Sequence, residues 1–294
     1  MRTAAALIKT IRPHQWVKNV FVAAPLVFAQ DLTHPDKVVR TVIAVLAFCF
    51  LSGAVYAFND VRDVEQDRVH PKKKLRPIPA GALSERTAMI SAAVLAVVAL
   101  TACAILSWKL ALIAAAYLVQ NVAYSVRLKH IAFVDVGVIA SGFLLRVLAG
   151  AAAIDVRASP WLLVCTALLA VFLGLGKRAH ELAWATRSGS DEATRASLAG
   201  YRLPVVRTAM LFLAVITCAA YVAYTLDPHT IAFFQTDALV FSAPFVALGI
   251  LRFLMLALWR PKDDSPTEAM LKDPWFLLIL AGAVGTILFI IYGR

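Results

Sequence analysis

The chain has 294 residues, 61% of them hydrophobic, with a mean hydropathy of +0.77 and a formal net charge of +11. That apolar content exceeds what a soluble domain needs, while a bilayer span takes ~20 mainly apolar residues, so the composition excludes a soluble enzyme and indicates a polytopic membrane protein. Cys49, Cys103, Cys165 and Cys218 each stand alone in an apolar run without CxxC or Cys/His spacing, and read as small buried hydrophobes rather than metal or disulfide partners.

In chain order, apolar runs predict nine spans, at 18–32, 38–60, 86–106, 109–126, 132–153, 160–180, 204–226, 237–259 and 273–292; the first is short and interrupted by Pro25. The segment up to Lys18 carries Arg2, Lys9, Arg12 and Lys18 and no cleavage-like site, so no signal peptide is expected and the first span would serve as the insertion signal. Of the 29 basic residues, 23 fall in the N-terminal segment, the 60–86 loop, the 127–129 turn, the 177–207 loop and 252–272, which alternate spans place on one side. Short loops rich in Lys and Arg stay cytoplasmic, so the N-terminus is expected inside and, with nine spans, the C-terminus outside. The positive face suits anionic lipid and an anionic substrate alike.

The second span ends in Asn59-Asp60-Val61-Arg62-Asp63-Val64-Glu65-Gln66-Asp67. At ~100° per residue Asp60, Asp63 and Asp67 fall within roughly 60° of one another on a helix, which outlines a magnesium site completed by substrate phosphates. The alternative is a solvated acidic helix end paired with the adjacent lysines. Glu65, ~140° away from Asp60, is expected to pair with a lysine instead of metal. The loop that follows, His70-Pro71-Lys72-Lys73-Lys74-Leu75-Arg76-Pro77-Ile78-Pro79-Ala80-Gly81, sets four cations beside those acids, stiffened by its three prolines. It would hold phosphate oxygens, with Arg76 able to bind bidentately; a topology signal explains the lysines nearly as well, but the rigid Arg76–Gly81 stretch less well.

Further polar clusters follow the fourth span (Tyr124 to Lys129) and the sixth (Lys177-Arg178-Ala179-His180-Glu181), and one lies towards the end of the eighth (Leu251-Arg252). All four lie at ends on the same predicted side, and charges beside spans normally line a cavity, so one shared cytoplasmic pocket is the economical expectation. The four-span separation of the Asp60 and Lys177 clusters suggests a duplicated four-helix unit. Arg146 lies inside a span and is expected to be functional or paired with Asp135. Lys18 is placed equally well as a diphosphate contact or a snorkelling lysine, and Tyr124 as a ligand contact or an interfacial tyrosine. His180 is left out of the site.

The Asn59–Asp67 pattern followed by Arg76-Pro77-Ile78-Pro79-Ala80-Gly81 resembles the UbiA superfamily of intramembrane prenyltransferases, as do Arg12-Pro13-x-x-Trp16-x-Lys18-Asn19 and Tyr124 to Lys129. That resemblance implies an all-α fold, one transferase domain over 1–294, with nine helices around a lipid-facing cavity under a cytoplasmic cap. It also implies aspartate motifs that bind diphosphate through Mg²⁺. Typical members carry a second Asp-x-x-x-Asp motif after the sixth span, where this chain reads Lys177 to Glu181. The variant is similar to the branch that makes decaprenylphosphoryl 5-phosphoribose, as are Asn59 to Pro71, Arg146 to Gly150 and Arg252-Phe253; Pro266-Thr267-Glu268 and Leu271-Lys272-Asp273 match less closely.

The resemblance therefore implies 5-phosphoribosyl 1-diphosphate as donor, a polyprenyl phosphate such as the decaprenyl lipid as acceptor, and a product that feeds cell-envelope arabinose-donor synthesis. Asp60, Asp63 and Asp67 would be the metal and catalytic residues. Substrate contacts would come from Lys18, Asn59, Lys72, Arg76, Tyr124, Lys129, Arg146, Lys177, Arg178 and Glu181: Lys18, Lys72 and Arg76 on the diphosphate, Lys177 and Arg178 on the ribose phosphate. The expected setting is a prokaryotic inner membrane with the site facing the cytoplasm, no nucleic-acid partner, and homo-oligomers among the expected assemblies. An aromatic prenyltransferase using a polyprenyl diphosphate, or an anionic-lipid transporter, are the rival readings.

Overall fold

The computed structural model describes residues 2–70, 72–188, 198, 200–259 and 266–293. Pro71, one of the three loop prolines, lies outside the described residues, as do 189–197 of the 177–207 loop. Among the described residues every regular element is a helix, and eight are long and apolar enough to cross a bilayer. They lie in α3 (Pro35–Arg62), α5 (Glu85–Leu106), α6 (Trp108–Val126), α7 (Val134–Ala153), α8 (Pro160–Ser188), α9 (Leu203–Leu226), the stretch Ala238–Leu258 containing α11 (Ala243–Leu254), and α13 (Pro274–Tyr292).

The ninth expected span, at 18–32, takes a different form. Residues Pro13–Ala23 wind as a 3-10 helix and continue into the five-residue α2 (Ala24–Phe28). A 3-10 helix rises ~2.0 Å per residue against ~1.5 Å for an α-helix, so this pair reaches about 30 Å with few residues, close to a hydrocarbon core.

Helix ends follow local chemistry. Pro35 and Pro274 occupy first-turn positions, where their missing N–H costs nothing. The Ser84 hydroxyl accepts from the Thr87 N–H at 3.1 Å to start α5, and Asp273 accepts from the Phe276 N–H at 2.8 Å to start α13. Arg40 donates to the carbonyls of Leu106 (2.8 Å) and Ala153 (2.6 Å), a cation at the C-terminal ends of two helices.

The chain divides into two compact units, Met1–Lys129 with Ser141–Ala158, and His130–Ala140 with Ser159–Arg294. The first packs α3 against α5 and α6 around Phe48, Leu51, Leu110 and Tyr117, and the second half of α7 joins it. Gly150 is required there, because a Cβ would stand 1.9 Å from the Val22 carbonyl oxygen of the 3-10 segment. The second unit packs α8, α9 and α11 around Phe172, Met210 and Phe253. In it Gly176 lies under the Phe253 ring, whose edge would stand 2.4 Å from an added Cβ, so α8 and α11 approach closely at that point. Because α8 runs on to Ser188, the Lys177–Glu181 cluster sits inside a helix instead of after one.

Candidate functional site

In the first unit the three aspartates are held at the junction of α3 with the short α4 (Val64–Val69). The helix breaks at Asp63, yet the Asp63 N–H still bonds the Asn59 carbonyl (3.0 Å) and the Asp67 N–H that of Asp63 (2.8 Å), so the helical rise largely carries through. Asp60 and Asp67 are each 1% exposed, and Asp63 is half-buried.

Each carboxylate meets a cation. Arg12 donates to Asp60 Oδ1 at 2.5 Å. Arg76 Nη1 lies between two carboxylates, 3.1 Å from Asp60 Oδ1 and 2.5 Å from Asp67 Oδ2, with Lys73 Nζ 3.7 Å from Asp67. Lys129 Nζ binds Asp63 at 2.5 and 2.8 Å, and Asn59 joins Asp63 to it by donating to Oδ2 at 3.0 Å. Lys129 is itself buried. Two of the four predicted clusters, Asn59–Asp67 and Tyr124–Lys129, are thus brought together.

The loop places Arg76 by folding tightly. Backbone N–H groups of Ala80, Gly81, Ala82 and Leu83 return to the carbonyls of Arg76, Ile78 and Pro77, and Gly81 takes φ +75°, a left-handed conformation natural to glycine. Ile78 and Leu83 are buried against Ala6, Val64 and Ala88, which anchors the turn to α1 (Arg2–Ile11), α4 and α5. The rigid Arg76–Gly81 stretch is therefore a mount for a guanidinium. At its start, His70 Nδ1 accepts from the Lys72 and Lys73 N–H groups at 3.2 and 3.3 Å, and burial first, then the charge of Lys73, hold this imidazole below its ordinary pKa, as an acceptor requires. Arg12 sits at φ 51°, in the left-handed region that a bulky residue before proline avoids; its Asp60 pair and the Tyr56 ring 5.0 Å away hold it there.

Among the described residues no group of three His, Cys, Asp or Glu side chains stands close enough to hold a metal ion unaided. The donor set nevertheless suits one. Asp60 Oδ1 and Asp67 Oδ2 already converge on a single positive centre, and magnesium takes one or two carboxylates with water and substrate phosphate completing the shell.

Deeper along α3, a second polar group surrounds Arg146 of α7, which is 7% exposed. Its Nε donates to Asn19 Oδ1 (2.8 Å), Nη1 to the Gly142 carbonyl (3.0 Å) and Nη2 to the Tyr117 hydroxyl (2.7 Å); Ser52 lies 3.2 Å from that hydroxyl. The expected Arg146–Asp135 pairing does not form. Eleven residues of one helix, about 16 Å of rise, separate them, and Asp135 has partners of its own.

Those partners make up the polar group of the second unit. Asp135 Oδ1 accepts from the Tyr201 hydroxyl (2.6 Å) and the Val136 N–H (2.9 Å), while Arg178 Nη1 lies 3.4 Å from Asp135 Oδ2 and 2.7 Å from Glu181 Oε2. The Tyr201 hydroxyl in turn accepts from the Phe133 N–H at 2.7 Å. Burial first, and then the carboxylate of Asp135, push the Tyr201 phenol pKa up, so it stays a proton donor. Arg178 is 0% exposed, so it meets two carboxylates inside the protein. Lys177 beside it is half-buried. Arg252 forms a two-pronged pair with Asp273 at 3.0 and 2.7 Å, which joins the two branch-like segments Arg252-Phe253 and Leu271-Lys272-Asp273.

Of the other predicted site residues, Lys18 and Tyr124 are half-buried and Lys72 is exposed. Glu65 pairs with Arg68 at 2.6 Å, not with the expected lysine. The site reading missed Arg12, Lys73, Asn19, Tyr117, Asp135 and Tyr201. Arg12 and Asn19 stood in the N-terminal signature, and the intramembrane-polarity argument that picked out Arg146 applies equally to Asn19 and Tyr117. A lateral groove of about 700 Å³ between α9 and α11, lined by Ala214, Cys218, Val222, Ala247 and Leu251 among others, carries no ionising group fit for chemistry and suits hydrocarbon.

The sequence pattern of the UbiA prenyltransferase family matches residues 19–280. The chain is 38% identical to the decaprenyl-phosphate phosphoribosyltransferase of Mycobacterium tuberculosis, over 96% of this chain and 93% of that one. It is 34% identical to the enzyme of that name from Mycolicibacterium smegmatis, over 96% and 91%. A UbiA homolog from Archaeoglobus fulgidus bound to GPP and Mg²⁺ superposes with a TM-score of 0.71 over 97% of this chain and 99% of that one, at 17% identity, a likeness of fold.

Proposed function

The chain belongs to the UbiA prenyltransferase family, and from that premise we propose that it transfers 5-phosphoribose from 5-phosphoribosyl 1-diphosphate to a polyprenyl phosphate in a membrane, releasing diphosphate. The observation that carries the reading is the four-cation rim of Arg12, Lys73, Arg76 and Lys129 on Asp60, Asp63 and Asp67, backed by near-full-length identity of 34–38% to relatives named for this transfer. Asp60 and Asp67 would hold Mg²⁺, with Asp63 and Asn59 completing the acidic wall. Bound there, Mg²⁺ would neutralise charge building on the departing diphosphate.

The remaining work falls to this chain's side chains. Arg76 and Arg12, on entry of the donor, would exchange a carboxylate for a diphosphate oxygen, charge-assisted bonds of similar strength. Lys72 and Lys18 would add positive potential at the same leaving group. Departure leaves an oxocarbenium-like sugar carbon, and the acceptor's phosphate oxygen, already anionic, attacks without a general base. Arg178, enclosed by Asp135 and Glu181, would act as the support that sets this part of α8. Tyr124 would border the sugar.

Nine crossings, counting the 3-10 segment, with the N-terminus and the aspartates on the cytoplasmic side, agree with 23 of 29 basic residues falling on that face. The test is purified protein with Mg²⁺, labelled phosphoribosyl diphosphate and polyprenyl phosphate, read as label in the lipid fraction. Prenylation of an aromatic acceptor with no labelled lipid would reverse the assignment, and lipid or phosphate movement without chemistry would make the chain a transporter.

A further inference from the structure

Seven charged residues are buried among the described residues: Asp31, Asp60, Asp67, Lys129, Asp135, Arg146 and Arg178. Six have a counter-charge within 4.0 Å; Asp31 meets Lys37 at 2.7 Å, and the others pair as described above. Arg146 has none among the described residues, although it lies in a span with 7% of its surface exposed. Its partners are an amide oxygen, a backbone carbonyl and a phenol, with the Tyr117 and Phe143 rings 4.8 and 5.5 Å from the guanidinium carbon.

Neutral contacts soften the burial of a cation but supply no charge, and an uncompensated buried charge is among the costliest features a fold can keep. A guanidinium has five N–H donors and cannot lose its proton. Three are engaged, which leaves two for a further acceptor. Ser52 and Tyr117 add hydroxyls 3.2 Å apart beside it. Two spare N–H donors beside these hydroxyls suit an anion with several oxygens.

We infer that Arg146, with Tyr117, Ser52 and Asn19, forms a buried binding site for a phosphate monoester, separate from the aspartate cluster. Ser52 and Asp60 lie eight residues apart on α3, about 12 Å of rise, a distance that a pentose carrying phosphates at both ends approaches. The inference rests on the proposed transfer only for which monoester arrives there. The sugar donor's 5-phosphate and the lipid acceptor's head group share the same chemistry. If the donor's phosphate is the occupant, Arg146 takes the role that the family resemblance implied for Arg178, whose charge is already matched.

The experiment measures binding without turnover. Full-length protein in nanodiscs is titrated calorimetrically with ribose 5-phosphate and, separately, with farnesyl phosphate, neither of which completes a reaction alone. The expected result is that one probe binds the wild type and binds Arg146→Met at least ~10-fold more weakly, with Arg146→Lys intermediate and Tyr117→Phe reduced. Ribose 5-phosphate as the responder assigns the donor; farnesyl phosphate assigns the acceptor. Ligand-free thermal midpoints are the control on folding. An Arg146→Met midpoint equal to or above the wild type fits an uncompensated charge, whereas a lower midpoint with unchanged affinity for both probes makes Arg146 a structural tie and overturns the site. Binding of neither probe to the wild type also overturns it. Arg146-dependent binding in a protein that transfers no phosphoribose would sink the proposed reaction and leave this site standing.

Discussion

Replacing Arg178 by Met should destabilise the protein by about 3–5 kcal/mol, the range for removing one partner of a buried ion pair. The size follows from what is left behind: Asp135, with 0% of its side chain exposed, and Glu181, at 27%, would face each other across an apolar side chain. Asp135→Asn should cost less, about 1–3 kcal/mol. An asparagine oxygen still accepts from Tyr201 and Val136, and the Arg178 contact that loses its charge is the long one, 3.4 Å against 2.7 Å to Glu181. The double variant should then be more stable than the two losses added together, with a coupling of roughly 0.5–3 kcal/mol. Equilibrium unfolding in mixed micelles, followed by tryptophan fluorescence, gives all three values. A stability change of Arg178→Met within about 0.5 kcal/mol, the ordinary spread for a surface substitution, would refute the structural assignment. If that came with a tenfold rise in KM for phosphoribosyl diphosphate, Arg178 would return to the site as a phosphate ligand.

Asp60→Asn and Asp67→Asn should each lower kcat by ~10²–10³, the loss of several kcal/mol of charge stabilisation, with thermal midpoints near the wild type; retained turnover would remove the metal assignment. Arg76→Gln takes away the cation between Asp60 and Asp67, so Mn²⁺ binding without substrate, read by electron paramagnetic resonance, should tighten about fivefold while KM for the donor rises; unchanged Mn²⁺ affinity would show that Arg76 and metal do not compete. On α7, Gly150→Ala should cost more than the usual ~1–3 kcal/mol of overpacking, because the obstacle is a backbone carbonyl, whereas Gly137→Ala, with nothing within 4 Å of the new methyl, should stabilise by about 0.5–1 kcal/mol.

The helices were legible because span length and hydropathy are local properties: eight of nine predicted runs correspond to helices long and apolar enough to cross a bilayer. The ninth run, at 18–32, takes a different form for a physical reason. Hydropathy counts residues and not rise per residue, so the 11-residue 3-10 helix and the 5-residue α2 after it, which together rise about 30 Å, look too short. The aspartate run was legible as chemistry, since its spacing implies a shared face, and the break at Asp63 changes little while the i to i−4 bonds bridge it.

Pairing is a different kind of information. Which cation meets which carboxylate depends on contacts between residues far apart in the chain, such as Arg12 with Asp60 or Lys129 with Asp63, 48 and 66 positions away. Charge alone made Lys177 and Arg178 equivalent candidates, yet the helix turns them to different surroundings, one half-buried and one enclosed with its counter-ions. The same count of charges made Asp135 the natural partner of Arg146, and helix rise forbids it. Once Asp135 is matched to Arg178, Arg146 stands without a counter-charge among the described residues, and this residual charge is visible only after the other buried charges among them have been assigned. A membrane interior makes the bookkeeping strict, because water is not there to supply the missing partner. The unmatched cation therefore directs attention to the substrate, whose phosphates are the remaining source of negative charge that the proposed reaction brings into the bilayer.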